Sequence, residues 1–414
     1  MDDKQIVKKE NYIFGLDIGD SKVNLFVGIS DGASVRVIEC GDFPLANADE
    51  FDVVVDNLQQ AVQMLEKSAA AAVDVHDVYV GVAGKHVRSY NYKGMITLPT
   101  GEVREEDIIN VQKQASTLPN SAGEIIHVFP GEYTLDEEEH IRNPKGRTGC
   151  RLSAEVQLVT CNRNVLQNLA KCINRAGLNV VDYVLEPLAA ACAVLTEDER
   201  ELGVVLIDIG AATSDIAVFV NDSVRYTTSL DYAGNTITSD ISKCLPVPIS
   251  LGKAEEIKKK HGTCLISNLI EDETFPVPAV GDRGDVPCSK KTLAQIITAR
   301  VYEIFKMLAD DLKKHQVYDI INGGVVLTGG CCELEGIEKV ATKAFGKDAR
   351  IGRPKGMTGI QDAYQKPSYA TGIGLLHYAN KQLREKKSKE TGAQIAVSVK
   401  KGFQKFKDFI RTYF

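Results

Sequence analysis

Residues Phe14–Val27 read FGLDIGDSKVNLFV, and residues Leu206–Val220, about 190 positions later, read LIDIGAATSDIAVFV. Each stretch consists of an apolar strand, an Asp-Ile-Gly corner, a few small residues and a second β-rich strand, which is typical of a β-hairpin. Two further segments, Arg175–Leu195 and Pro367–Ala379, repeat in the same way, because both end in helical stretches dense in Ala and Gly. Small residues let two helices cross closely, as the floor of a hinged cleft requires. The duplication predicts two similar α/β lobes related by a pseudo-twofold axis.

Length and composition indicate the class of protein. A chain of 414 residues is long enough for roughly two to four domains. Hydrophobic residues make up 44% and charged residues 25%, the balance of a globular protein. The net charge of −7 argues against nucleic acid as a general partner. The ten cysteines include no CxxC pair and no histidine at zinc spacing, which favours buried thiols in a reducing cytosol over disulfides or a metal site.

The two ends of the chain bear on its location. At the start, MDDKQIVKKENYIFG places charges where a signal peptide needs an apolar core, so we expect a protein that is not exported. No apolar run of about 18 residues is present, so no spanning helix is predicted. At the other end, Lys400–Phe414 hold five basic side chains against one Asp.

The last fifteen residues predict an amphipathic helix that binds a membrane surface. Six apolar side chains would share one helix face: Phe403, Phe406, Phe409, Ile410, Tyr413 and Phe414. Lys405, Lys407 and Arg411 would lie on the polar face, which favours binding to anionic lipids. The alternative is a terminal helix docked on its own domain, which the flexible linker predicted over residues 381–399 disfavours.

The two Asp-Ile-Gly corners are candidate phosphate-binding loops. A phosphate chain needs converging backbone N–H groups and no bulky Cβ in the way. The first corner offers Asp17, Gly19, Asp20, Ser21 and Lys22, and the second offers Asp208, Gly210, Ala211, Ala212 and Thr213. Asp17 and Asp208 would hold Mg²⁺ through its waters, because Mg²⁺ keeps most of its hydration shell. One such corner alone is also an ordinary strand-end turn, and the matched pair is what favours phosphate.

Two more segments could complete a nucleotide site. In VVLTGGCCELEGI, the pair Gly329–Gly330 follows an apolar strand and would let the backbone lie flat against a base or ribose. In AEEIKKKHG, Glu255 and Lys258 share a helix face and could reach a ribose hydroxyl and an adenine edge. The alternatives are a plain βα turn for the first segment and an exposed charged helix for the second.

In this order and spacing, the four segments resemble the actin, heat-shock-chaperone and sugar-kinase ATPase superfamily. More narrowly, IRNPKGRTGCRLSAEVQLVT at Ile141–Thr160 is similar to a pattern of the FtsA family of bacterial cell-division proteins. GLDIG, EPLAAA, LTGGCCELEGI and the amphipathic tail extend the resemblance over nearly the whole chain. It implies an α/β fold of two actin-like lobes with an inserted 1C subdomain and a C-terminal amphipathic helix.

The resemblance also implies domain boundaries. Subdomain 1A would comprise residues 1–82 and 162–198, with 1C inserted at 83–161. Subdomain 2A would comprise residues 199–240 and 300–380, with 2B at 241–299. The linker over 381–399 and the membrane-targeting helix over 400–414 would follow.

Residue roles follow from the same resemblance. Glu186 is similar to the residue that positions the attacking water, and with Asp208 it would be catalytic. Gly234 and Asn235 would contact the nucleotide, and Cys331 would complete the adenosine motif. The chain departs from the family where Ala211-Ala212 replace glycines and where Cys331 stands at a position that is commonly Gly. ATP binding is expected to survive because main-chain N–H groups remain, and the chain is expected to be at most a slow ATPase.

Partners are implied as well. In this family, subdomain 2B binds the C-terminal peptide of FtsZ, which ends in a carboxylate, so Lys290, Lys291 and Arg300 are candidate contacts; a solvated helix face is the other interpretation. The family also self-associates and recruits later division proteins at the division site, on the cytoplasmic face of the cell membrane. The alternatives are a PilM-like pilus-assembly protein, which ordinarily lacks such a tail, and a small-molecule kinase on the same fold, for which no catalytic Asp between the lobes stands out.

Overall fold

The computed structural model describes residues 11–45, 51–68, 76–117, 123–266, 273–278, 284–358 and 362–385. The predicted membrane-targeting helix, and the linker from residue 386 onward, lie outside the described residues. Within the described ranges, no helix is long and apolar enough to cross a membrane.

Sixteen strands and ten α-helices are found in the described part of the chain. The strands are β1 (Asn11–Ile18), β2 (Lys22–Ser30), β3 (Val35–Pro44), β4 (Asp77–Val82), β5 (Val87–Thr97), β6 (Glu124–Leu135), β7 (Glu138–Ile141), β8 (Arg151–Cys161), β9 (Asn179–Leu185), β10 (Val204–Ile209), β11 (Ser214–Val220), β12 (Ser223–Leu230), β13 (Thr274–Pro278), β14 (Asp285–Ser289), β15 (Val325–Thr328) and β16 (Ala349–Ile351). The helices are α1 (Phe51–Ser68), α2 (Glu105–Ala115), α3 (Arg163–Arg175), α4 (Glu186–Val194), α5 (Glu197–Leu202), α6 (Gly234–Cys244), α7 (Leu251–His261), α8 (Lys290–Lys314), α9 (Ile337–Phe345) and α10 (residues 370–385).

Two five-stranded sheets of the same topology form the two lobes. In lobe I the order is β3-β2-β1-β4-β9, and in lobe II it is β12-β11-β10-β15-β16. Each sheet begins with an antiparallel hairpin and continues with parallel strands. The hairpins close at equivalent positions, since Ile18 pairs with Val23 and Ile209 pairs with Ser214. The duplicated sheets confirm the two-lobed α/β fold predicted from the paired hairpins.

Helices α4 and α10 lie between the two sheets. Successive residues of β10 face opposite sides, as strand geometry requires: Val204 and Leu206 pack in the core that contains α4 and α10, whereas Val205 and Ile207 pack with α6, α8 and α9. A methyl group added at Gly374 of α10 would lie 1.9 Å from the carbonyl oxygen of Ala189 in α4. The small residues of these helices thus allow the two lobes to meet at a close helix crossing.

The inserted subdomain is a four-stranded sheet in the order β5-β8-β6-β7, with α2 on one face. Alternate residues of β8, from Leu152 to Leu158, are buried against that helix. In lobe II, β13 and β14 form an antiparallel pair that packs with α7 and α8. The domain boundaries stay predictions, and the one at 299/300 falls within α8.

Candidate functional site

A cleft of about 640 Å³ lies between the two lobes. Strands β1, β10 and β15 all end at it, which is where open α/β sheets bind ligands. The predicted nucleotide-site residues that line it are Asp17, Gly19, Asp20, Ser21, Lys22, Glu186, Asp208, Gly210, Ala211, Thr213, Gly234, Asn235, Glu255, Lys258, Gly329, Gly330 and Cys331. Ala212 belongs to the second loop but is not among the lining residues. Segments from across the chain are thus brought to one site.

The first hairpin loop carries a cation held by two neighbours. The Gly19 N–H donates to the Lys22 carbonyl at 3.0 Å, which closes the loop. The Lys22 Nζ lies 3.7 Å from an Asp42 carboxylate oxygen and 4.3 Å from the centre of the Tyr369 ring. The Tyr369 hydroxyl donates to the same carboxylate at 2.8 Å. Lys22 therefore stands at the cleft wall as the cation of this loop.

The second hairpin loop is held by backbone hydrogen bonds. The Gly210 N–H donates to the Thr213 carbonyl at 2.9 Å, matching the first loop. The first N–H groups of α6 then bind the loop: Gly234 donates to the Gly210 carbonyl at 3.1 Å, and Asn235 donates to the Ala211 carbonyl at 2.7 Å. Because helix N-termini leave such donors unpaired, α6 can fix the loop without any side chain.

Four of the carboxyl groups that line the cleft are deeply buried: Asp17, Glu186, Asp208 and Asp215. Burial raises the pKa of Asp208 to about 7, and the nearby Asp215 adds to this rise. Burial also raises the pKa of Asp215, and that of Asp17, where the charge of Lys22 partly offsets it. The pKa of Glu186 is raised well above its usual value, first by burial and then by the surrounding aspartates. Full ionisation of these four carboxyl groups is therefore unfavourable unless a cation enters the cleft.

The carboxyl groups fit a hydrated cation better than a directly ligated one. Among the residues that the structure describes, no three His, Cys, Asp or Glu side chains converge closely enough to hold a metal ion. Mg²⁺ usually keeps several waters and is held by one or two carboxylates. Asp17 and Asp208, at the ends of β1 and β10, could therefore hold Mg²⁺ through its waters.

The buried Lys258 pairs with the half-buried Glu255 at the lobe II side of the cleft. The Lys258 Nζ lies 2.6 Å from a Glu255 oxygen and donates to the Gly234 carbonyl at 3.0 Å and the Thr238 hydroxyl at 2.9 Å. Burial opposes ionisation of Glu255, but its bonds with Lys258 and Thr238 outweigh burial and lower its pKa. Lys258 thus uses its three donors inside the protein, supporting the start of α6 and orienting Glu255.

The turn after β15 packs against the second hairpin. Gly329 has φ +89°, and a methyl group there would lie 2.3 Å from Asp208 Oδ1. A methyl group at Gly330 would meet nothing within 4 Å, so this part of the turn is open. The Cys331 thiol donates to the Gly210 carbonyl at 3.2 Å. Only glycine fits at the first position, whereas the cysteine connects the turn to the second hairpin loop.

The lining residues that were not predicted as site residues are Asp42, Asp215, Lys259, Gly262, Glu333, Leu334, Lys366, Pro367, Ser368, Tyr369 and Thr371. Asp215 could have been found from the hairpin itself, because it is the cross-strand partner of Asp208, as Asn24 is of Asp17. Thr371, whose hydroxyl donates to Asp208 at 2.9 Å, comes from the segment predicted only as a small-residue helix.

The predicted partner contacts lie on α8, outside the cleft. Lys290 pairs with Glu273 at 2.5 Å, and Arg300 pairs with Asp240 at 2.5 Å and Glu303 at 2.6 Å. Lys291 lies in the first turn of the same helix. The predicted membrane contacts lie outside the described residues: Phe403, Lys405, Phe406, Lys407, Phe409, Ile410, Arg411, Tyr413 and Phe414.

Duplicated sheets around a cleft with paired Asp-Ile-Gly hairpins define an actin-like protein. Solved structures agree on this fold. A chain of the PilM-PilN type IV pilus biogenesis complex superposes with a TM-score of 0.60 at 16% identity, covering 89% of this chain and 98% of that one. MreB5 of Spiroplasma citri bound to ADP gives a TM-score of 0.53 at 14% identity, covering 91% and 98%. At these identities the likeness extends to the fold alone.

Sequence comparison identifies the family. The family model "Cell division protein FtsA" matches residues 205–374, and "SHS2 domain inserted in FTSA" matches residues 84–160. The cell division protein FtsA of Pseudomonas aeruginosa is 38% identical over 379 residues, covering 90% of both chains. FtsA of Escherichia coli K12 is 36% identical over 417 residues, covering 97% of this chain and 98% of that protein. The chain belongs to the FtsA family of cell division proteins.

Proposed function

We propose that this chain is an ATP-binding, self-associating member of its family that tethers FtsZ filaments to the cytoplasmic face of the cell membrane at the division site and helps to recruit later division proteins. The observation that carries nucleotide binding is the cleft, in which both hairpin loops, the four buried carboxyl groups and the open Gly330 turn meet. MreB5 of the same fold was solved with ADP and with AMPPNP, which supports an adenine nucleotide as the ligand.

Each side of the cleft has a separate part in nucleotide binding. Lys22 and the N–H groups of the two loops would bind phosphate oxygens, and the open turn at Gly330 would accommodate the adenosine. Bound Mg²⁺ would neutralise phosphate charge. The pKa of Glu186 is raised well above its usual value, first by burial and then by the surrounding aspartates, and its carboxyl lines the cleft where it could position a water. Ala211 stands in place of a loop glycine, and this departure supports hydrolysis that is slow at most.

The FtsZ contact is proposed for the surface around α8. Lys290 and Arg300 each face carboxylates of the chain itself, which keeps the cations in place on a partly buried surface. A peptide that ends in a carboxylate would exchange places with Glu273 or Asp240, so binding replaces one ion pair by another. Such an exchange favours modest affinity and sensitivity to salt.

The tail supplies the membrane contact of the proposal. A single amphipathic helix with a few basic residues binds reversibly, with about 1 kcal/mol from each cation near an anionic surface. Self-association would join several tails and strengthen binding without any new contact. A polymer of this chain could therefore hold FtsZ at the membrane although each tail is weak.

Vesicle co-flotation tests the tether. The full chain is mixed with a labelled FtsZ C-terminal peptide and vesicles that contain anionic lipid, and both are expected to float together. A chain that ends at Val399 should leave protein and peptide at the bottom. Arg300→Glu should float without the peptide, whereas Lys306→Glu, an exposed change on the same helix, should carry it. Equal flotation of the truncated chain would refute the membrane role, and peptide retained by Arg300→Glu would refute the α8 site.

A further inference from the structure

Through His127 of β6, the inserted subdomain contacts the backbone next to a residue of the nucleotide cleft. The His127 Nε2 accepts a hydrogen bond from the Leu185 backbone N–H at 2.9 Å, and both residues are buried. Leu185 is the last residue of β9 and the N-cap of α4, so Glu186 follows directly. A side chain of one subdomain therefore holds the backbone that carries a cleft carboxyl group of the other.

The position of β9 explains why this bond matters. This strand is the outermost one of the lobe I sheet, so its outer edge has no neighbouring strand within the described residues. A buried N–H at such an edge needs another acceptor, and His127 supplies it. Glu186 itself lies close over β4, because a methyl group added at Gly81 would be 3.0 Å from its Cγ. Because Glu186 is closely packed and follows Leu185 directly, a small shift of the Leu185 backbone would also move Glu186.

The surroundings of His127 keep it in the accepting form. Burial lowers its pKa to about 4, so the ring is neutral and Nε2 has a free lone pair near neutral pH. The ring packs 5.6 Å from Phe129 and 6.1 Å, edge to face, from Tyr378 of α10. The same helix carries Thr371, which donates to Asp208 at 2.9 Å. His127 thus contacts α10 and the N-cap residue of α4, the two helices that lie between the lobes.

We propose that His127 is a positioning residue: by accepting the hydrogen bond of the Leu185 N–H, it fixes the start of α4 and with it Glu186. The inserted subdomain and the nucleotide cleft then change conformation together. The inference rests on the proposed function, because it takes the cleft to bind MgATP. Coupling between two sites is reciprocal. Nucleotide in the cleft should therefore order β6, and a ligand that distorts β6 should alter nucleotide binding.

Hydrogen exchange followed by mass spectrometry on the full chain, with and without MgAMPPNP, tests the coupling. In the wild type, nucleotide should slow exchange in the two hairpins (residues 14–24 and 206–216), at residues 183–188 and in β6 at residues 124–130. His127→Leu should keep the hairpin protection but lose the β6 response, and residues 183–188 should exchange about fivefold faster without nucleotide, as expected for one lost buried hydrogen bond. His127→Gln, which keeps an acceptor near the same place, should restore the response at least in part.

The control is Phe129→Leu, which loosens packing on the same strand but leaves the hydrogen bond in place. Its β6 response should persist, and loss of that response in both variants would overturn the role of His127. If MgAMPPNP protects the hairpins of the wild type but leaves β6 unaffected, the inference is overturned and the proposed function stands. This comparison needs no variant, so it tests the inference even if His127→Leu does not fold. Unprotected hairpins would overturn the proposed function and the inference with it.

Discussion

The two Asp-Ile-Gly hairpins share a backbone but are held by different means. In lobe I the loop ends in Lys22, which is placed by the carboxylate of Asp42 and the ring of Tyr369. In lobe II the matching position is Thr213, and the loop is held by N–H groups of α6 and by the Cys331 thiol. The two hairpins thus share the turn, but the loop of lobe I ends in a cation, whereas the loop of lobe II is held by additional hydrogen bonds to its backbone.

The difference teaches that a repeated motif predicts geometry better than it predicts roles. Charge at Lys22 can attract phosphate and then exchange partners, because side chains rotate freely compared with backbone. The second loop has little freedom, since its Gly210 carbonyl already accepts from Gly234 and Cys331. We expect substitutions in lobe I to change affinity and those in lobe II to change stability.

The largest effect is expected at Gly329. Alanine there needs positive φ and places a methyl group 2.3 Å from Asp208 Oδ1 and 2.5 Å from the Ile209 carbonyl, so both strain and clash oppose it. Gly329→Ala should lower the free energy of unfolding by about 3 kcal/mol or more. Urea unfolding followed by circular dichroism measures it.

Two alanine variants separate the causes. Gly84 follows β4 in lobe I with φ +80°, but a methyl group there meets only Thr213 Cγ2 at 3.7 Å, so Gly84→Ala should lose about 1–2 kcal/mol from strain alone. Gly330→Ala, with nothing within 4 Å, should stay within about 0.5 kcal/mol of the wild type. Equal losses at Gly84 and Gly329 would show that the second hairpin is not held by close packing.

How much of the fold and of the cleft could be predicted from the sequence depends on how far apart in the chain the residues of each feature lie. The paired loops, the small-residue helices and the Gly329–Gly330 turn each lie within a short stretch, so the residue pattern indicated the lobes and both loops of the cleft. Four other cleft residues came instead from the family resemblance: Glu186, Gly234, Asn235 and Cys331. Asp42 and Tyr369 could not be predicted in this way, because they are more than 300 residues apart and meet only in the folded chain. The internal bonds of Lys258 were missed because helical spacing reveals a shared face but not a neighbouring helix.

The second effect is a pH-dependent change in stability at Asp208. Its pKa is raised from 3.8 to about 7 by burial, so between these values the folded state binds more protons than the unfolded state. The free energy of unfolding therefore falls as pH rises through this window, and Asp208 destabilises the nucleotide-free protein at neutral pH. From pH 5 to pH 7.5, the free energy of unfolding of Asp208→Asn should therefore rise by about 2 kcal/mol relative to that of the wild type. Urea unfolding of nucleotide-free protein at both pH values measures the gain.

Asp17→Asn is the matched variant from lobe I. Lys22 partly offsets the burial that raises the pKa of Asp17, whereas the neighbouring Asp215 adds to the rise at Asp208. The gain of Asp17→Asn with pH should therefore be smaller. A larger gain in the free energy of unfolding for Asp17→Asn, or no gain for Asp208→Asn, would contradict the conclusion that neighbouring charges favour the ionised carboxylate more in lobe I than in lobe II.

The smallest of the three effects concerns affinity and tests the charge of lobe I directly. Lys22→Met should weaken MgATP binding about tenfold, or about 1.4 kcal/mol, because the cation of the first loop is lost while its backbone N–H groups remain. Thr213→Val makes the matching change in lobe II and removes a hydroxyl that donates to Asp215 at 2.7 Å, so about threefold is expected. Calorimetric titration at two salt concentrations measures both. An Lys22→Met protein that binds MgATP as the wild type does would argue against the phosphate role of this loop. Loss of the Lys22 cation should also reduce the salt dependence of MgATP binding, whereas loss of the Thr213 hydroxyl should not. Equal losses of affinity in the two variants would instead mean that charge does not distinguish the two hairpins.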